Sequence, residues 1–477
     1  MAVENPTTSN TYILEVFEKQ RKQAIALREE KVQKRLVRLK KLQHWIENNR
    51  ETIKHAVHQD FKKPKTEVDI SEIYPVISEL KHASSNLRSW AKPKKVDAPL
   101  AYIGSTSKIT TEPKGVCLII SPWNYPFNLA ISPLVAALAA GNTAILKPSE
   151  MTPHTSELIE KMIGEIFSDE EVCVFQGGVE ISQELLALPF DHIFFTGSPG
   201  VGKIVMSSAA KHLSSVTLEL GGKSPVIVDE TAHIKDAAEK IAWGKFLNNG
   251  QTCLAPDYLL VHKKIQREFI DHLINYTQLL FDKQLEGFEK SPDYGRIVNE
   301  KHYLRLNELI KDALDNNGNI EMGGSSNANS NFIPPTIITN VAPTSRIMEE
   351  EIFGPILPVI PFDNLADTIT LINSKPKPLA LYYFGRNGKN RASVLKLTSS
   401  GGVCVNDCVL QFGQHNLPFG GVNNSGMGRT HGKYGFESFS NIKPVLKQRV
   451  GFTTTKTIYP PYSKTVAMLI DKMIKFF

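Results

Sequence analysis

Beyond residue 115 the chain alternates short apolar runs with helical stretches, and it does so twice. That rhythm leaves little room for anything but an α/β fold. Residues 116–120 read as a buried strand, 127–140 as an apolar helix that Gly141 ends as a C-cap, and 143–146 as a second strand. Residues 157–167 are helical, and strands follow at 172–175 and 192–195. After Glu219 the rhythm restarts with strand 225–228, helix 234–247, strand 258–261 and helix 267–281, continuing to about Val405. The pattern predicts two parallel, doubly wound units joined by a hinge near residues 220–223.

The flanks have a different character. Residues 11–61 are charged, leucine-spaced and almost free of Gly and Pro, which predicts helices. Residues 89–111 carry Pro93, Pro99 and Gly104 among alternating side chains, which suits an extended hairpin or bridge. Residues 325–331 are a Ser/Asn-rich surface loop. At 477 residues, 41% hydrophobic and 22% charged, the chain has material for about two to four units, each with a core. Its net charge of +6 gathers in Lys19, Arg21, Lys22, Lys31, Lys34, Arg35, Arg38, Lys40 and Lys41. No interleaved aromatics or recognisable module accompany them, so they read as a solvated helix face and no nucleic-acid partner is expected.

Residues 1–10 are polar and lack the apolar centre of a signal peptide. No run of about 20 apolar residues offers a membrane span. Cys117, Cys173, Cys253, Cys404 and Cys408 are odd in number and widely spaced, which suits free thiols in a reducing compartment; the cytoplasm is expected. Cys404 and Cys408 come closest to a metal pair but have no histidine cluster beside them, so no metal is expected.

Three features carry chemistry. Residues 195–202 follow a strand and open a helix, where backbone amides can meet a phosphate. Gly197 to Lys203 reads G-x-x-x-x-G-K, close to a triphosphate loop, but Ile204 stands where a magnesium-binding hydroxyl is required. A plain glycine-rich turn is the bland alternative. Cys253 follows Asn248-Asn249-Gly250-Gln251-Thr252, a tight turn able to expose its sulfur as a nucleophile; most lone cysteines are instead inert and buried. Glu219, at a strand end before Gly221 and Gly222, is a candidate base with room to swing, although a glutamate there is usually just solvated.

Four segments in order settle these choices: Ser121-Pro122-Trp123-Asn124, Glu219-Leu220-Gly221-Gly222-Lys223, Gln251-Thr252-Cys253 and Glu351-Ile352-Phe353-Gly354-Pro355. Together they resemble the NAD(P)-dependent aldehyde dehydrogenases, and the resemblance runs over nearly the whole chain. It implies Cys253 as nucleophile, Glu219 as general base, and the Asn124 amide with the Cys253 N–H as oxyanion donors. Around NAD it implies Gly197, Ser198, Pro199, Gly200, Val201 and Gly202 beside the pyrophosphate, and Lys147 and Glu150 at the adenosine ribose. Trp123 and Leu220 join the cofactor site, with Glu351 on the nicotinamide ribose and Phe353 beside the ring. A carboxylate at Glu150 repels a 2′-phosphate and tilts the choice toward NAD, with NADP still admissible.

Further segments resemble the class 3 branch, which includes fatty and aromatic aldehyde dehydrogenases. They are Tyr125-Pro126-Phe127-Asn128, Leu254-Ala255-Pro256-Asp257-Tyr258, Pro418-Phe419-Gly420-Gly421, Ser425-Gly426-Met427-Gly428 and His431-Gly432-Lys433-Tyr434-Gly435-Phe436. The early positions of Asn124 and Cys253 fit that branch, in which a long N-terminal extension is absent. The chain departs from it at Arg429-Thr430, where related chains carry smaller residues. The branch implies a homodimer, medium- or long-chain aliphatic or aromatic aldehydes as substrates, and a Rossmann-type cofactor domain beside an α/β catalytic domain. The expected division is 1–88 and 112–219 for cofactor, 220–405 for catalysis, 89–111 and 436–458 for a β bridge, 406–435 returning to the site, and 459–477 as a tail. A non-catalytic relative would be expected to have lost Cys253 or Glu219. An acylating reductase, releasing its thioester to coenzyme A, sits badly with a retained Glu219.

The tail carries Val466, Leu469, Ile470, Met473, Ile474 and Phe477 at helical spacing, with Lys464, Asp471, Lys472 and Lys475 off that stripe. Such a helix is expected to dock on the protein or its partner subunit; covering the substrate entrance or resting on a membrane surface is the alternative.

Overall fold

The computed structural model describes residues 10–99, 102 and 104–476. Residues 1–9, 100, 101, 103 and 477, which the expected domains, bridge and tail include, lie outside them. Strand Val116–Ile120 shows why the fold forms. All five residues are buried, as in a parallel strand covered on both faces. Val116, Leu118 and Ile120 enter a core with Ile13, Val16 and Phe17 of helix Asn10–Leu27, whereas Cys117 and Ile119 enter another with Leu39, Ile53 and Leu134. The period of two divides one strand between two layers of helices.

Six strands make this sheet, in the order Gly426–Met427, Ser215–Leu220, His192–Gly197, Val116–Ile120, Thr143–Lys147 and Val172–Val174. All pairs are parallel except the first. From the central strand 116–120 the chain builds outward through 143–147 to 172–174, then returns to the other side at 192–197. That reversal leaves a crevice at the carboxyl ends of strands 116–120 and 192–197, where open α/β sheets bind ligands.

A seven-stranded sheet repeats the logic in the order Asn319–Met322, Thr336–Thr339, Ile356–Phe362, Tyr258–His262, Pro225–Val228, Ala380–Phe384 and Gly402–Val405, antiparallel only at its first pair. Tyr382 and Phe384 face one core and Leu381 and Tyr383 the other. The fold is α/β, with two Rossmann-like sheets. A third, antiparallel sheet joins Lys94–Val96, Thr106–Pro113 and Ser440–Lys447, and the last pair runs in register from Ser440↔Pro113 to Lys447↔Thr106.

Several boundaries differ from the sequence reading. Helix Tyr74–Trp90 fills a stretch to which the sequence reading assigned no element, and its end at Trp90 overlaps the extended segment expected from residue 89; the buried stripe Val76, Leu80, Ala83 and Leu87 holds it helical. Helices Val179–Leu186 and Glu300–Asp315 are additions to the pattern that the sequence predicts. Gly141 does end helix Asn128–Ala140, in a left-handed conformation at φ 95.

The tail forms helix Lys464–Phe476 and packs on the turn Thr454–Ile458, leaving Met468, Leu469 and Ile474 exposed. Among the described residues no helix is long and apolar enough to cross a membrane.

Candidate active site

Strand Val116–Ile120 delivers Trp123 and Asn124 into the crevice. Asn124 is buried, and its carbonyl accepts from Asn248 Nδ2 at 2.9 Å and Lys63 Nζ at 3.1 Å. Its amide Nδ2 donates to the Gln251 carbonyl at 3.0 Å. Next to it, the Tyr125 hydroxyl meets Thr252 Oγ1 at 2.7 Å. Asn124 is thereby stitched to the loop that carries Cys253.

That loop begins where helix Ile234–Phe246 stops. Asn248, Asn249 and Gly250 follow with φ of 52, 54 and 69, a left-handed run that asparagine and glycine tolerate best. Gln251 then fixes the loop: Nε2 donates to the carbonyls of Asn248 and Arg296, and Oε1 accepts from Val298 N–H. Cys253 is half-buried. Burial, with Glu351 and Glu219 nearby, pushes its thiol up to about 12, against the pull of the Cys253 and Leu254 backbone N–H groups.

Glu219 lies at the end of strand Ser215–Leu220, opposite Gly426. It is buried, neither oxygen has a hydrogen-bond partner in the protein, and burial raises its carboxyl well above the ordinary glutamate value. Arg429 opposes that shift. A Cβ on Gly420 would lie 3.0 Å from Glu219 Oε1 and 3.2 Å from Arg429 Cδ, so the residue at which the chain departs from its resemblance stands beside the candidate base. The guanidinium itself donates to the carbonyls of Gly421 and Gly428. Glycine placement corrects one expectation. Gly221 makes room for the Glu351 carboxylate, which a Cβ there would strike, and it is Gly420 that faces Glu219.

Glu351 and Phe353 come from the second sheet's loops. Lys223 Nζ pairs with Asp257 at 2.6 Å and donates to the carbonyls of Ile347 and Glu350, while Asp257 accepts from Ile352 N–H at 3.0 Å. This clamp presents Glu351, whose carboxyl is pushed up to about 8 by burial and by Asp257, with Gly222 N–H and Lys223 countering. Phe353, at φ 48, meets Trp123 edge-on with ring centroids 5.3 Å apart.

At the next strand ends, Lys147 Nζ reaches Glu150 Oε2 at 2.6 Å. Burial would raise the Glu150 carboxyl, but the Lys147 bond and a backbone N–H outweigh it and lower it. Strand His192–Gly197 runs through Ser198 into helix Pro199–Ala210, and Ser198 Oγ accepts from Val201 N–H at 3.4 Å. Gly200 and Val201 leave the helix start open to solvent. A Cβ on Gly202 would lie 2.7 Å from Leu220 Cδ2, so glycine there lets the helix sit against the strand. The site residues expected from the sequence thus stand at or just after the carboxyl ends of the first sheet's strands and on the loops of Cys253 and Glu351. An open helix N-terminus, a Lys–Glu pair and the buried Glu351 carboxyl fit a dinucleotide with a diphosphate and two riboses.

Sequence reasoning missed the substrate side. A cavity of about 220 Å³, almost wholly apolar, opens onto Cys253 between Ile70, Tyr74, Leu129, Trp243, Val409 and Phe412. It also missed Lys63 and Glu72, which carry no motif, and gave no role to Tyr125 and Thr252, which stand inside its motifs; all four act through contacts across the fold. A second, small cavity of about 40 Å³ joins Cys253 to Glu219. Cys404 is half-buried and Cys408 buried. Among the described residues no group of three or more His, Cys, Asp or Glu side chains is placed to hold a metal.

Comparison with known proteins agrees with this geometry. The chain is 46% identical over 408 residues to 4,4'-diaponeurosporen-aldehyde dehydrogenase of Staphylococcus aureus, covering 86% of this chain and 88% of that one. It is 43% identical to the dimeric NADP-preferring aldehyde dehydrogenase of Rattus norvegicus, covering 90% and 93%. The solved substrate-bound state of Staphylococcus aureus AldH superposes with a TM-score of 0.93 at 42% identity, covering 97% of this chain and 99% of that one. Residues 3–445 match the aldehyde dehydrogenase family, so the chain belongs to that family and is an NAD(P)-dependent oxidoreductase of aldehydes.

Proposed function

We propose that this enzyme oxidises medium- or long-chain aliphatic, or aromatic, aldehydes to carboxylic acids with NAD, NADP being a second cofactor. The observation that carries this reading is the position of Cys253, where the apolar cavity meets the small cavity shared with Glu219. An apolar cavity lined by Tyr74, Trp243 and Phe412 favours an apolar tail or ring over a charged one.

In this mechanism the Cys253 sulfur, as thiolate, bonds to the carbonyl carbon and the carbonyl electrons move to oxygen. The free N–H of the Asn124 amide and the Cys253 backbone N–H donate to that oxyanion; such a donor contributes about 3–4 kcal/mol. NAD, when bound, supplies the acceptor for the hydride that leaves this carbon, and an acyl thioester remains on Cys253. Glu219 then takes a proton from water as the water attacks the thioester. The C–S bond breaks, the acid departs and the thiolate is restored. Glu351 and Phe353 position the nicotinamide end, Trp123 and Leu220 complete its walls, Lys147 and Glu150 bind the adenosine ribose, and Gly197 to Gly202 receive the diphosphate.

On the same reading, residues 1–88 and 112–219 serve the cofactor and 220–405 the catalytic side. Segments 89–111 and 436–458 form the bridge of a cytoplasmic homodimer, and 406–435 return to the site. The exposed edge strand Ser440–Lys447, with Ile442 and Leu446 outward, supports a partner there. Among the described residues of the tail none lines the apolar cavity, which supports docking of residues 459–477 on the protein or its partner over closure of the chain's own entrance. A panel of aldehydes of graded chain length, assayed for nicotinamide reduction with both cofactors, tests the substrate class. The reading expects kcat/KM to rise with apolar length; a preference for short or charged aldehydes would contradict it.

A further inference from the structure

Lys63 follows Lys62, whose left-handed backbone at φ 59 ends helix Arg50–Phe61, and its side chain is wholly buried. Nζ lies 2.6 Å from Glu72 Oε1, 3.1 Å from the Asn124 carbonyl and 4.0 Å from the centre of the Tyr125 ring. Glu72, equally buried, accepts with its other oxygen from Asn128 N–H at 2.9 Å, the first residue of helix Asn128–Ala140. Two buried charges taken from water are a weak source of stability, because desolvation offsets their attraction. What distinguishes this pair is its aim. Apart from the Phe61 ring, 5.2 Å from Nζ, its side-chain contacts outside itself fall on residues 124–128, gripping the carbonyl at one end and the helix start at the other.

The Asn124 amide sits between two constraints. Asn248 and Lys63 hold its backbone carbonyl, and Gln251 takes one of its two amide hydrogens, leaving the other for an oxyanion. A donor of this kind works only if it is held within about 0.5 Å of its productive place.

We propose that Lys63 is a positioning residue for the oxyanion-binding amide: paired with Glu72, it holds the Asn124 carbonyl from behind and so fixes the amide that receives the substrate oxygen. This rests on the role given to Asn124 above.

The test is a mutant cycle read by single-turnover nicotinamide reduction on an apolar aldehyde, with cofactor Kd and unfolding midpoint measured alongside. N124A should slow the step by about 10²–10³. The neutral pair K63M/E72Q should slow it by at least about tenfold with cofactor Kd unchanged, and E72Q, which leaves Lys63 on the carbonyl, by clearly less. Adding N124A to K63M/E72Q should cost no more than N124A alone, because Lys63 acts through Asn124. If K63M/E72Q matches E72Q, or the losses multiply in the triple variant while N124A alone is slow, Lys63 is merely structural and the proposal is overturned. A full-rate N124A overturns the oxyanion role itself and takes the proposal with it. Should K63M/E72Q not fold, Lys63→Gln, which keeps a donor without the charge, replaces it in the cycle, and the same outcomes support or overturn the proposal.

Discussion

Glu219 and Cys253 face one small cavity, and neither oxygen of Glu219 has a hydrogen-bond partner in the protein. Burial without partners raises the Glu219 carboxyl well above the ordinary glutamate value, and burial pushes the Cys253 thiol up to about 12. Burial thus disfavours the charged form of both reactive groups.

Alkylation of Cys253 by iodoacetamide reads that state. With the thiol pushed up to about 12, the rate in the cofactor-free enzyme should climb about tenfold per pH unit past pH 9 without a plateau. E219Q removes one acidic neighbour and should leave the rate equal or faster. A plateau below pH 8, or slower alkylation in E219Q, would show Glu219 already ionising the thiol.

Glu351 links stability to pH. Its carboxyl is raised from 4.5 to about 8, so its neutral form is favoured in the fold. The stability it contributes is whole below about pH 4 and is lost as pH rises through 8. E351Q should therefore raise the melting temperature of the cofactor-free enzyme by about 2–4 °C at pH 9 and leave it unchanged at pH 4, while weakening cofactor binding. An equal gain at both pH values would assign the effect to packing.

Cofactor choice turns on Glu150, held by Lys147 at 2.6 Å. E150Q or E150T should raise the NADP/NAD ratio of kcat/KM about tenfold, which is ~1.4 kcal/mol. An unchanged ratio would mean that Glu150 does not reach the ribose.

Periodic burial makes the strands at 116–120 and 225–228 readable, because each alternates between two cores and must be apolar throughout. Cys253, Glu219 and Asn124 stand out because their chemistry is tied to local segments. Lys63 does not: it meets Asn124 across 61 residues, and nothing near it in sequence marks a lysine for burial. The same holds for the cavity wall, which Tyr74 of one helix shares with Phe412 of a distant turn. In sequence Gly221 looks like space for Glu219, yet which side chain fills that space depends on the loop around Glu351.

The most direct test is to trap the acyl group. E219Q, mixed rapidly with NAD and an apolar aldehyde, should give a burst of NADH near one equivalent per site and then turn over at least about 100-fold more slowly than the unaltered enzyme. Acid-quenched peptide mapping should find the acyl mass on the Cys253 peptide, and C253A should give neither burst nor adduct. A burst lost in E219Q, an acyl group on another residue, or appreciable turnover by C253A would contradict a thioester formed on Cys253 and hydrolysed through Glu219.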